Sequence, residues 1–132
     1  VETTGLAPEG DEVIQLAMLP FAYELETCRV LEIDRDRAFE GLREPRVPIS
    51  SEATLVTGLT AETVAGRTID ASVVEALVAD ADLIIAHNAS FDRVMVLCRK
   101  TLGLFPHECR LAARRLLRGQ TRLSRNAVRL VL

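Results

Sequence analysis

Cysteine is scarce and poorly placed for cross-linking. The three present, Cys28, Cys98 and Cys109, are odd in number and nowhere spaced as C-x-x-C. That pattern offers neither a disulfide framework nor a zinc site, and it fits a reducing compartment. Long apolar runs are missing too. None approaches the ~18 residues that a membrane helix needs, so no membrane contact is expected. The opening Val1-Glu2-Thr3-Thr4 has neither the basic nor the apolar region of a signal peptide. The expected location is the cytoplasm. Internal repeats and low-complexity segments are absent. Acid is nearly missing from one end: beyond Asp92 only Glu108 opposes ten Lys/Arg, a net +9 over residues 93–132.

What is present suits one folded domain spanning residues 1–132. That length, 48% hydrophobic and 27% charged, is enough to bury a core. Residues 1–92 hold 18 of the 19 acids and 6 of the 16 bases, a net −12, so the chain as a whole sits at −3. A basic end on an acidic body fits a surface that meets a polyanion. It fits a solvated helix face equally well.

Periodicity divides the chain into strands and helices. Glu2 to Gly10 reads as a loop punctuated by Gly5, Pro8 and Gly10. Val13 to Leu19 is an apolar run consistent with a buried strand, and Arg29 to Ile33 alternates as a second. Tyr23 to Cys28 would form the hairpin between them, and Asp34 to Pro48, charged and proline-bearing, reads as surface loop. Ser51 to Val56 and Thr60 to Val64 look like short helical turns split by Gly58, with Thr60 as an N-cap. Asp70 caps a clearer helix with a Val73, Val74, Leu77, Val78 stripe. Asp82 to His87 has the continuous apolar character of a strand buried on both faces. Ser90 to Leu102 and Arg110 to Leu117 read as helices, and Leu123 to Leu132 as a weaker helical candidate. This order predicts an α/β fold, a mixed β-sheet flanked by α-helices.

Two segments carry chemistry. In Glu2-Thr3-Thr4-Gly5-Leu6, a carboxylate at a strand end precedes small hydroxyl residues and a glycine, which let backbone amides approach an anion. In His87-Asn88-Ala89-Ser90-Phe91-Asp92, an acid sits in the first helical turn after a strand, where α/β sheets project active-site carboxylates. Two hard oxygen donors from separate segments could share Mg²⁺. The plainer alternatives are a terminal Glu2 without a role, and an Asp92 that merely complements its helix dipole.

These segments, with Val56-Thr57-Gly58-Leu59-Thr60 between them, resemble the first motif (D-x-E-T-T-G-L), the hydrophobic-x-G-I-T turn and the second motif (N-x-x-F-D) of the DnaQ-like, or DEDD, 3′–5′ proofreading exonucleases. The resemblance covers roughly residues 1–100. It implies an RNase H-like fold and hydrolysis of phosphodiester bonds at nucleic-acid 3′ ends, most suitably single-stranded DNA, releasing 5′-mononucleotides. It also implies two Mg²⁺ or Mn²⁺ ions and a DNA polymerase subunit as a possible partner. Carried onto this chain, Glu2 and Asp92 are the catalytic and metal-binding residues. Thr3, Thr4, Gly5 and Leu6 line the substrate pocket, Phe91 is either pocket wall or core, and Asn88 either fixes the strand-to-helix turn or contacts substrate.

The family pattern is incomplete in this chain. The first carboxylate belongs immediately ahead of Val1. The third motif needs H-x-x-x-x-D, yet five residues beyond His107 stands Ala112. His107 is thus a candidate general base without its partner acid, or simply a surface histidine. The resemblance therefore implies either that further segments lie outside this chain, or an incomplete homologue that binds nucleic acid or a polymerase without cutting.

Overall fold

The computed structural model describes residues 1–24, 27, 29–81, 83–97 and 127–131. Its axis is an eleven-residue strand, β2 (Val13–Tyr23), in which Ile14, Leu16 and Met18 are buried while Gln15, Ala17 and Leu19 are half-buried. This alternation reflects the two-residue period of a strand, which sends successive side chains to opposite faces. A two-residue strand, β1 (Glu2–Thr3), pairs antiparallel with its start, so the segment read as all loop begins in the sheet.

Two further strands share the opposite edge of β2. These are β3 (Val30–Ile33), opposite Phe21 to Tyr23, and β4 (Phe39–Leu42), opposite Gln15 to Met18. Residues 34–38 loop out between them, past Leu19 and Pro20. That gap explains how β2 runs through a proline. Pro20 has no N–H to give, and its carbonyl accepts from Asp34 N at 3.0 Å, on the side where neither strand pairs with it. The hairpin from β2 to β3 is as expected, closed by Glu24 N donating to Arg29 O at 2.9 Å. The expectation of surface loop across Asp34 to Pro48 is corrected by β4. Its four residues are too short and mixed to signal a strand, and the backbone edge of β2 recruits them.

The strand β6 (Ala127–Val131) corrects the helical reading of Leu123 to Leu132 over those five residues, the others lying outside the described residues. A short apolar run is ambiguous between helix and strand. Here it fills the slot between β2, antiparallel, and β5 (Leu83–Ile85), parallel. Because Gln15 and Ala17 both pair with β4 on their other side, β1 and β6 lie on one edge of β2 and run in the same direction. The strand β5 ends the described strand order. Ile85 is 40% exposed and Ile84 half-buried, so this strand is not covered on both faces as its composition suggested.

Helices α1 (Ser51–Thr57), α2 (Ala61–Val64), α3 (Ala71–Ala79) and α4 (Ala89–Leu97) complete the described elements. Each of the first three begins at a side-chain cap: Ser50 accepts from Ala53 N, Thr60 from Thr63 N, and Asp70 from Ser72 N and Val73 N. Gly58, at φ +72°, ends α1 in the left-handed conformation that glycine adopts without penalty, its N–H donating to Thr54 O at 2.8 Å. The core joins Val13, Leu16 and Met18 of β2 to Val74, Leu77 and Val78 of α3 and Met95 of α4. Val73, expected in the apolar stripe, is 41% exposed. No described helix is long and apolar enough to cross a membrane. The helix expected at Arg110 to Leu117 and the end of the one expected to reach Leu102 lie outside the described residues.

Candidate active site

The turn after β1 is held by its own side chains. Thr4, fully buried, donates from Oγ1 to Asp11 Oδ1 at 2.9 Å and accepts there from Glu12 N, also at 2.9 Å. Its backbone is used as well: Thr4 N donates to Glu12 O, and Thr4 O accepts from Ser50 N at 3.0 Å. The second Asp11 oxygen accepts from Ala7 N at 2.7 Å. Gly5 lies against this carboxylate, where a Cβ would stand 2.6 Å from Asp11 Oδ2, so glycine is required by close approach. Thr3 Oγ1 donates to Gly5 O at 2.6 Å. Both threonine hydroxyls are thus spent on shaping the turn, which presents Leu6, 84% exposed, at its tip.

Behind the turn, Glu12 is buried and paired with Arg43, whose Nη2 lies 2.9 Å from Glu12 Oε2. The same oxygen accepts from Arg46 N at 3.3 Å. Asp11, Glu12 and Arg43 hold the site's frame. The acids were visible in the sequence beside the first motif, but nothing local marked Arg43, thirty-one residues away, as their partner.

Asp92 occupies the first turn of α4, entered directly from β5. Asn88 Oδ1 accepts from Ser90 Oγ at 3.1 Å and from Phe91 N at 3.5 Å, so Asn88 fixes the strand-to-helix turn. Phe91 is half-buried and packs against the core. Asp92 itself is 1% exposed, and neither carboxylate oxygen has a hydrogen-bond partner among the described residues. Burial pushes its carboxyl above the usual aspartate range. Val1, directly before the half-buried Glu2, packs in the same core cluster as Phe91 and Met95 of α4, which brings the start of β1 and the first turn of α4 into one region. His107 lies outside the described residues.

A buried carboxylate with two empty acceptor oxygens is costly unless a cation meets it. Hard oxygen donors suit Mg²⁺ or Mn²⁺, so Glu2 and Asp92 fit such an ion. Among the described residues no three His, Cys, Asp or Glu side chains converge.

A model of the Exonuclease family matches residues 1–104, covering the first motif, the Gly58 turn and the second motif in that order. The chain belongs to this family. Its α/β mixed sheet is the RNase H-like fold of the DnaQ-like exonucleases. A DNA polymerase III of PolC type from Caldanaerobacter subterraneus subsp. tengcongensis is 31% identical over 111 residues. That stretch is 79% of this chain and 7% of the relative's length.

Proposed function

We propose that this exonuclease acts in the 3′–5′ direction on single-stranded DNA ends and depends on Mg²⁺ or Mn²⁺. The observation that carries the reading is the carboxylate of Asp92, buried and without a hydrogen-bond partner among the described residues, at the second motif of the family. Glu2 and Asp92 would hold the metal, which when bound supplies charge neutralisation at the scissile phosphate and a more acidic water. The turn from Thr3 to Leu6, braced by Asp11, offers an apolar residue to a terminal base and keeps its backbone close to the strand. Phe91 supports Asp92 from the core side. The PolC-type relative favours DNA as the substrate and a polymerase as a partner.

A second reading has its own observation. Among the described residues no three ligand side chains converge, fewer than two metals need. It would then be a catalytically incomplete homologue that binds nucleic acid or a polymerase.

The test is a 5′-labelled single-stranded DNA incubated with the protein and Mn²⁺. Progressive shortening of the labelled strand, abolished by chelator and by Glu2→Gln or Asp92→Asn, supports the first reading. Binding without shortening supports the second. Undiminished cutting by both variants would exclude this site.

A further inference from the structure

A second feature lies outside the carboxylate site. Arg43, Glu44, Pro45 and Arg46 face Gly66, Arg67, Thr68 and Ile69 across a cleft of about 510 Å³. Its walls are joined by Glu44 N donating to Arg67 O at 2.9 Å and by Gly66 N donating to Glu44 Oε2 at 2.8 Å. Three guanidinium groups line it against one carboxylate, Glu44, which that bond already engages. Arg46 and Arg67 are exposed and form no ion pair among the described residues. Arg43 is tied to Glu12 through Nη2, but its Nη1 is buried without a partner among those residues. A buried guanidinium donor without an acceptor is costly, and a phosphate oxygen entering the cleft would satisfy it.

This concentration of positive charge stands out because the first 92 residues carry a net −12. The cleft is also coupled to the motif turn. Arg46 N binds Glu12, whose carbonyl accepts from Thr4 N, and Ser50 N reaches Thr4 O.

We infer that this cleft is a phosphodiester-binding site, gripping the backbone of a nucleic-acid strand through Arg46 and Arg67, with Arg43 behind them. The choice of phosphodiester rests on the nuclease reading above; the excess of arginine over acid in the cleft lining does not. Guanidinium suits the ligand because its planar fork meets two phosphate oxygens at once. Phosphate contacts of this kind position a strand without reading its sequence.

The test measures binding of a fluorescent oligothymidylate by anisotropy in chelator, so that no metal-dependent contact or cutting contributes. Arg46→Ala/Arg67→Ala is compared with Arg29→Ala/Arg35→Ala, which removes equal charge from exposed sites outside the cleft. The cleft variant should bind about tenfold more weakly, and its log–log salt slope should shrink by about 1.4, the contribution of two cations on a single strand. The control should change neither by more than a third of that. Circular dichroism verifies folding, and Arg46→Lys/Arg67→Lys should retain most of the salt slope. Equal losses in the cleft variant and the control would overturn the inference, as would no loss in either. Equal affinity for a polyglutamate peptide of matched charge would overturn the assignment to phosphodiester. Cutting by the wild type and by the cleft variant is assayed separately in Mn²⁺, so binding lost with no cutting in either protein, or cutting with no effect of the cleft on binding, separates failure of the catalytic reading from failure of this one.

Discussion

The pair between Glu12 and Arg43 gives a quantitative test of the frame behind the site. Glu12→Gln removes the charge while keeping the shape. Its carboxylate is 5% exposed as a residue, and Arg43 Nη2 lies 2.9 Å away with 15% of its side chain exposed. Breaking a buried pair by removing one partner costs about 3–5 kcal/mol, because the other charge is stranded in low dielectric. Two features of this pair moderate that figure. The glutamine oxygen can still accept from Arg46 N, and Arg43 can recover some water, so the expected cost is about 2–3 kcal/mol. Against a total stability of roughly 5–15 kcal/mol, that is a large fraction. In urea, with a slope of about 1.5 kcal/mol/M, the midpoint should fall by roughly 1.3–2 M. Removing both charges as Glu12→Leu/Arg43→Met should cost less than the sum of the single changes, with a coupling of about 2 kcal/mol. A midpoint shift below ~0.3 M for Glu12→Gln, or additive single and double variants, would refute the claim that this pair is buried and mutually dependent.

Gly5→Ala should destabilise by about 1–3 kcal/mol, since its Cβ would displace the Asp11 carboxylate from Thr4 Oγ1 and Ala7 N. Thermal melting checks this, and adding Asp11→Ala should relieve part of the clash. Asp70 has its carboxyl held below the usual aspartate value by Ser72 and Val73 at the start of α3. A depressed value in the folded state means this contribution is present above the unfolded-state value and lost as pH falls through the folded one. Between pH 5 and 2, helical circular dichroism of the wild type should therefore fall more steeply than that of Asp70→Asn, which keeps the cap without titrating; parallel curves would refute it.

Several elements were legible because their signals are local. Asp70 and Thr60 marked helix starts because a cap needs only a side-chain oxygen within three residues of the amides it accepts from. The apolar run at Val13 and the alternation at Arg29 marked strands for the same reason. The motif residues from Glu2 to Leu6 and from Asn88 to Asp92 were visible as short patterns, and the family match confirms the kinship they implied. Of the site itself, only the residue types were readable. That Thr4 serves the turn and Asn88 the helix cap depends on hydrogen bonds made by particular rotamers.

What the sequence by itself determined was therefore the α/β class, the family and the two acids at its motifs. Tertiary structure decided the remainder. It turned Phe39 to Leu42 and Ala127 to Val131 into strands, because the open backbone edges of β2 and β5 must find partners and a short segment's own preference is too weak to refuse. It also left the Asp92 carboxylate buried without a hydrogen-bond partner among the described residues, and paired Glu12 with Arg43 across thirty-one residues. Desolvation and charge pairing arise only once distant segments exclude water together, so no local pattern in the chain could announce them.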